Sequence, residues 1–125
     1  MASTTNKRCA QLSKICLGLP ETTSSGGEHI RFQVRDKTFA YYLNNHHGDG
    51  RLAVCCKASM GEQDVLVRLD PARYFVPAYL GPRGWVGLRI DLPDIDWEEV
   101  EDLVVNSYQV IAPKRLADQV RRVEQ

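Results

Sequence analysis

Apolar residues recur along this chain with two periods. Between residues 29 and 57 the period is two. Ile30, Phe32 and Val34 alternate with His29, Arg31, Gln33 and Arg35. Phe39, Tyr41 and Leu43 alternate with Ala40 and Tyr42. Leu52, Val54 and Cys56 alternate with Arg51, Ala53, Cys55 and Lys57. Successive side chains of a strand point to opposite faces, so the pattern predicts strands over 29–35, 38–43 and 51–57. Asp36-Lys37 reads as a two-residue hairpin turn, and residues 44–50, rich in Asn, His and Gly, as a longer one. Short turns between consecutive strands make an antiparallel meander.

Elsewhere the spacing is three and four. Cys9, Leu12, Ile15, Cys16 and Leu19 predict a first helix over 6–17, capped by Ser3, Thr4 or Thr5 and stopped by Gly18 and Pro20. Residues 21–28 read as a loop by composition. A short helix is expected over 61–69, an extended segment over 73–76, and a strand over 85–92, where Val86, Leu88, Ile90 and Leu92 alternate with Trp85, Gly87, Arg89 and Asp91. The strongest helical stripe is Trp97, Val100, Leu103, Val104, Ser107, Tyr108 and Ile111. Asp96 is its expected N-cap, and Glu98, Glu99 and Glu101 suit the positive end of the helix dipole. Pro113 ends it, and a basic helix over 114–123 follows. The order is helix, three-stranded meander, helix, two strands and C-terminal helices. That predicts an α+β fold with the helices on one face of the sheet. No repeat or linker divides residues 1–125, which read as one domain.

Charge changes this picture only locally. The 125 residues carry 16 Lys+Arg and 16 Asp+Glu. Zero net charge argues against a strongly basic nucleic-acid protein at whole-chain level, but not against a basic face. The charge is segregated: the first and third strands, the loop at Gly81-Pro82-Arg83-Gly84 and the C-terminus are basic, and the helix after Asp96 begins acidic. No run approaches the about 18 apolar residues that cross a bilayer, no secretory leader pattern opens the chain, and no glycosylation sequon occurs. A cytoplasmic protein without membrane contact is the expectation. Cys9, Cys16, Cys55 and Cys56 lack zinc-ligand spacing and are expected as free thiols. No metal or cofactor is expected.

The ordered residues resemble a known family. Leu19-Pro20 follows the first helix. Phe32-x-Val34 is followed by Lys37-x-Phe39-Ala40. Then come Pro77-x-Tyr79-Leu80-Gly81-x-x-Gly84-Trp85-Val86-Gly87-Leu88, Asp96-Trp97, Ser107-Tyr108 and Ala112-Pro113-Lys114-Arg115. Over about residues 12–116 this resembles the MmcQ/YjbR family, whose fold is likened to CyaY and to the secretion-chaperone-like α+β class. The resemblance implies DNA binding, a description that rests on a proposed pair of β-hairpin wings. It implies no catalytic residues, and Gly84-Trp85-Val86 and Ser107-Tyr108 match as markers of fold.

The residues themselves offer a basic sheet face. Arg31 and Arg35 lie opposite Ile30, Phe32 and Val34, and Arg51, Lys57, Trp85 and Arg89 are placed to share their face. Arg83 sits between glycines, which let a backbone approach a phosphate closely. Basic side chains beside an aromatic ring suit nucleic-acid backbone and stacked bases. Arg31, Arg35, Arg51, Lys57, Arg83 and Arg89 are the expected phosphate contacts, with Trp85 as a stacking platform. The bland alternative is a solvated outer face of a sheet. His46 and His47 read as turn residues, the acids from Asp94 to Asp102 as helix-start charges, and Lys114, Arg115, Arg121 and Arg122 as a solvated terminal helix. No Gly-x-Ser-x-Gly or nucleophile–base pair is present, so no enzyme is expected. The expected function is a non-enzymatic binding domain, with weak, salt-sensitive DNA binding, as a monomer. The alternative is a protein-interaction or chaperone-like module. The sequence speaks more clearly about fold than about activity.

Overall fold

In the computed structural model, which describes residues 4–59 and 61–120, the alternating segments pair into one six-stranded antiparallel sheet. The helices and strands run α1 (Thr4–Leu17), β1 (Thr22–Gly26), β2 (Ile30–Val34), β3 (Lys37–Asn44), β4 (Leu52–Lys57), α2 (Glu62–Leu69), β5 (Tyr74–Phe75), β6 (Trp85–Arg89), α3 (Trp97–Ile111) and α4 (Lys114–Gln119). Short 3-10 turns occupy His46–Gly48 and Gly81–Arg83. The strand order is β1-β2-β3-β4-β6-β5. The fold is α+β, as the periodicity predicts. A cap at Ser3 and the extension of the last helix through Arg121, Arg122 and Val123 lie outside the described residues.

The helices supply one wall of the core. Leu12 and Cys16 of α1, and Val100, Leu103, Val104 and Tyr108 of α3, pack on Phe32, Val34, Ala40, Tyr42, Val54, Cys56, Val86 and Leu88 of the sheet. Each fully buried side chain of this size is worth about 1.5–3 kcal/mol of transfer free energy. Asp96 caps α3 as expected, accepting from the backbone of Glu98 at 3.0 Å and Glu99 at 3.3 Å. Glu99 is taken up by the fold too, accepting from the Tyr74 hydroxyl at 2.6 Å and pairing with Arg73. Pro113 separates α3 from α4.

Three local features depart from the periodicity. First, residues 22–26 form a strand rather than a loop. Thr22, Thr23, Ser24 and Ser25 show no apolar alternation, because β1 is an exposed edge strand that pairs with β2 through its backbone. Gly26 closes its turn at φ +117°, where an added Cβ would lie 2.2 Å from the His29 carbonyl oxygen.

Second, the β2–β3 turn is centred on Arg35 and Asp36, one residue earlier than Asp36-Lys37. Both have positive φ, 49° and 65°, the geometry of a type I′ hairpin turn. Lys37 thereby becomes the first residue of β3.

Third, the register slips between Phe32, opposite Ala40, and Gln33, opposite Thr38. Phe39 is the extra residue of a β-bulge. The bulge breaks the parity of β3. Phe39 turns into the helix-side core, edge to face with Tyr108 at 5.4 Å, while Tyr41 and Leu43 occupy the opposite face. The expectation that Phe39, Tyr41 and Leu43 share one face is corrected on this point.

That opposite face is not a bare solvated surface. Leu43, Cys55 and Trp85 are buried on it beneath Tyr41, Phe75, Leu80 and Ile111. Arg31, Tyr41, Cys55, Gly87 and Phe75 form one row across five strands. Gly87 is required there, because an added Cβ would lie 2.4 Å from the Phe75 ring.

Candidate functional site

Where this second face meets the C-terminal end of α3, the surface opens into a cleft of about 480 Å3. It is lined by Lys37 and Thr38 at the start of β3, Tyr41 further along it, and Lys57 at the end of β4. Leu80 and Arg83 of the connecting loop, Trp85 of β6, and Val110 and Ile111 of α3 complete it. Three cations thus line one cavity with two aromatic rings, and among the described residues no carboxylate lines it.

Each wall has a local cause. Lys37 is brought to the mouth by the type I′ turn before it. Lys57 ends β4, where its backbone N–H donates 3.0 Å to the Ser107 hydroxyl on α3. Its ammonium donates 3.2 Å to the Arg83 carbonyl, fastening the loop to the strand. The loop turns back at Gly84, whose φ of 87° suits glycine. Gln63 of α2 holds it from the other side, donating 2.9 Å to the Gly81 carbonyl and 2.6 Å to that of Trp85. The Tyr41 and Trp85 rings sit 5.5 Å apart at 56°.

Ser107 organises this end of the sheet. Its hydroxyl donates 2.6 Å to the Phe39 carbonyl in the bulge and accepts from Lys57, so one buried side chain ties both cleft-forming strands to α3. The neighbouring Tyr108 donates 2.7 Å to the Pro20 carbonyl after α1. Leu19-Pro20, Phe39-Ala40 and Ser107-Tyr108, far apart in sequence, are one contact network.

The residues expected from sequence divide into groups. Lys57, Arg83 and Trp85 meet in the cleft. Trp85 is only 6% exposed, so the half-buried Tyr41 offers the larger aromatic surface. Arg31 is exposed one strand away, opposite Tyr41. Arg51 lies toward the other end of the face, its guanidinium 4.4 Å above the Phe75 ring. Arg89 forms a two-point pair with Asp91, at 3.0 and 2.9 Å. Arg35 stands at the hairpin tip, bonded to Glu21 at 2.7 Å; Arg115 approaches the same carboxylate at 3.6 Å. The hydrogen bond from Arg35, with its charge and that of Arg115, holds Glu21 below its ordinary pKa. Burial pushes Asp91 up, but the bonds and charge of Arg89 outweigh it and hold Asp91 low as well.

Sequence reading missed Lys37, Thr38, Tyr41, Leu80, Val110 and Ile111. Lys37 could have been found by centring the turn one residue earlier. The others are joined only by tertiary packing.

Most of the remaining reactive groups are buried: Cys16, Cys55 and Cys56 lie in the core, and Cys9 is partly exposed. All four cysteines are free thiols. Burial pushes Cys55 up to about 12 and raises Cys16 and Cys56 strongly, so these three stay protonated. Tyr42 is likewise raised to about 12, chiefly by burial. His29 accepts from the Asn44 backbone at 3.1 Å and meets His46 edge to face at 5.3 Å. Among the described residues no three of His, Cys, Asp or Glu gather to hold a metal ion. No helix among them is long and apolar enough to cross a membrane.

Comparison with known proteins bears on this arrangement. No curated protein matches the sequence. The fold is similar to the crystal structure of the Deinococcus radiodurans protein DR2400, which carries the family domain DUF419. The TM-score is 0.70 at 18% identity, covering 90% of this chain and 86% of that one. At that identity the likeness is one of fold. The family model YjbR matches residues 17–110, a span from the end of α1 nearly to the end of α3 that holds the sheet and most of the cleft. The chain belongs to the YjbR family.

Proposed function

We propose that this domain is a non-enzymatic nucleic-acid-binding module, and that it binds through the cleft and the sheet face beside it. The observation that carries the reading is the lining of the cleft: Lys37, Lys57 and Arg83 with Tyr41 and Trp85, and no carboxylate among the described residues. Cations clustered in one cavity attract a polyanion, and adjacent rings offer surface to bases. Arg31 extends the positive track. Arg35 and Arg89 are already paired with carboxylates, and Arg51 rests on Phe75, so these three act through the general field rather than as primary contacts. The burial of Cys16, Cys55, Cys56 and Tyr42 supports a binding role over catalysis. A contact site for protein is a second reading. It is supported by Val65 and Leu69, four apart on α2 and 52% and 78% exposed.

Labelled DNA tests the first reading by fluorescence anisotropy. Binding is expected at about 50 mM salt and should fall steeply by about 200 mM. Reversing two exposed charges, in K37E/R83E, should weaken it by at least about tenfold, and R89Q should change it little. The absence of DNA binding at the lower salt would sink the proposal.

A further inference from the structure

We infer that the cleft takes one unstacked nucleotide of a single strand, and that the domain therefore prefers single-stranded to duplex nucleic acid. The inference rests on the nucleic-acid reading and specifies its ligand.

The shape of the site carries it. A duplex is read by a convex element, a helix or a two-stranded ribbon, that enters a groove. Here three cations line a cavity instead, together with the apolar Leu80, Val110 and Ile111. The β2–β3 hairpin carries Arg35 at its tip, and Glu21 on the residues before β1 holds that guanidinium. A cavity of about 480 Å3 falls within the size range of small-ligand sites and is suited to one nucleotide rather than a base-paired helix.

The lining matches the parts of a nucleotide. Tyr41 offers a partly exposed ring backed by Trp85, and Leu80 and Ile111 add apolar surface for a base. Lys37 and Arg83 are exposed at the mouth, where a phosphate keeps part of its hydration. Lys57 spends one ammonium hydrogen on the Arg83 carbonyl and keeps two for an anion. Bases in a duplex are stacked and paired, so only an unpaired base reaches Tyr41 without an unpairing cost.

The test compares a fluorescent oligothymidylate with a duplex of equal length at about 50 mM salt, and adds thymidine monophosphate, thymidine and inorganic phosphate as competitors. The expected result is a single strand bound at least about tenfold more tightly than the duplex, displaced by the monophosphate better than by thymidine or phosphate alone. Y41L keeps apolar volume and loses the aromatic ring; it should cost the single strand about tenfold and the duplex much less. K37E, at an exposed position, checks the same site without touching the packed cluster, and thermal melting verifies that both variants fold. Equal affinity for the two forms, or a monophosphate that does not compete, overturns the inference and leaves the nucleic-acid reading standing. Failure of both forms to bind overturns that reading and the inference with it. A monophosphate bound without either strand overturns both and makes the cleft a small-molecule site.

Discussion

The Ser107 hydroxyl lies 2.6 Å from the Phe39 carbonyl and donates to it, joining the C-terminal part of α3 to the β-bulge of β3. The bulge takes Phe39 out of regular pairing with β2, and its carbonyl needs a donor from elsewhere. Ser107 is that donor, and the same oxygen accepts from the Lys57 backbone at 3.0 Å. A small hydroxyl is the group that can donate and accept at once in so tight a place.

Replacing Ser107 by Ala should therefore destabilise the protein more than the loss of one small side chain implies. Two backbone groups lose a partner, at about 1–3 kcal/mol for each one left buried. A loss of about 2–4 kcal/mol in urea unfolding is expected, with little change in slope. Ser107→Thr tests the cause, since it restores the hydroxyl and adds a methyl group. If S107A and S107T unfold at the same midpoint as the natural protein, the hydrogen bonds do not hold α3 to the bulge.

Gly87 and Phe75 make a second prediction, about the floor of the outer face. A Cβ at position 87 would meet the Phe75 ring at 2.4 Å, so G87A must push the ring aside. The ring is packed beneath Arg51 and beside the Trp85 cluster, and overpacking of this kind costs about 1–3 kcal/mol. In F75L the flat ring is gone, and the added methyl should cost less. A double-mutant cycle over G87A and F75L should show a coupling of about 1 kcal/mol. Simple additivity would mean that the two residues are not in contact.

The Asp91–Arg89 pair predicts how stability depends on pH. The folded protein holds Asp91 below its ordinary value of 3.8, because the bonds and charge of Arg89 outweigh burial. A carboxylate with a depressed folded pKa contributes stability that is present above its unfolded pKa. That contribution is lost as pH falls through the folded value. D91N should therefore lower the unfolding midpoint at pH 7, and the deficit should shrink steadily below about pH 4. A deficit that stayed constant from pH 7 to pH 2 would show that the side chain acts through its shape rather than its charge.

Much of the architecture was legible from periodicity. The alternation at Ile30, Phe32 and Val34, the run Leu52, Val54 and Cys56, and the stripe Trp97, Val100, Leu103, Val104, Ser107, Tyr108 and Ile111 all correspond to observed elements, and Asp96 is the observed cap. Three particulars were not legible. β1 is held by backbone pairing, which leaves no mark on side-chain pattern. The hairpin turn places Arg35 and Asp36 at positive φ, where Asn or Gly would have announced it. The bulge at Phe39 inverts the parity on which the reading of β3 depended.

The candidate site divides along the same line. Residue type and spacing named Lys57, Arg83 and Trp85, and they also named Arg35, Arg51 and Arg89, whose charges look equivalent in sequence. Tertiary structure distinguishes them by distance. Glu21 reaches Arg35 across 14 residues, and Asp91 reaches Arg89 across two. Lys37 and Lys57, 20 positions apart, line one cleft with Arg83. The sequence by itself determined which segments bury one side and which side that is, because burial of apolar surface imposes a period on the chain. Only the tertiary structure decided which cations stand beside carboxylates and which stand together. Electrostatic interaction depends on separation in space and on solvent between the charges, and neither is recorded in the order of residues.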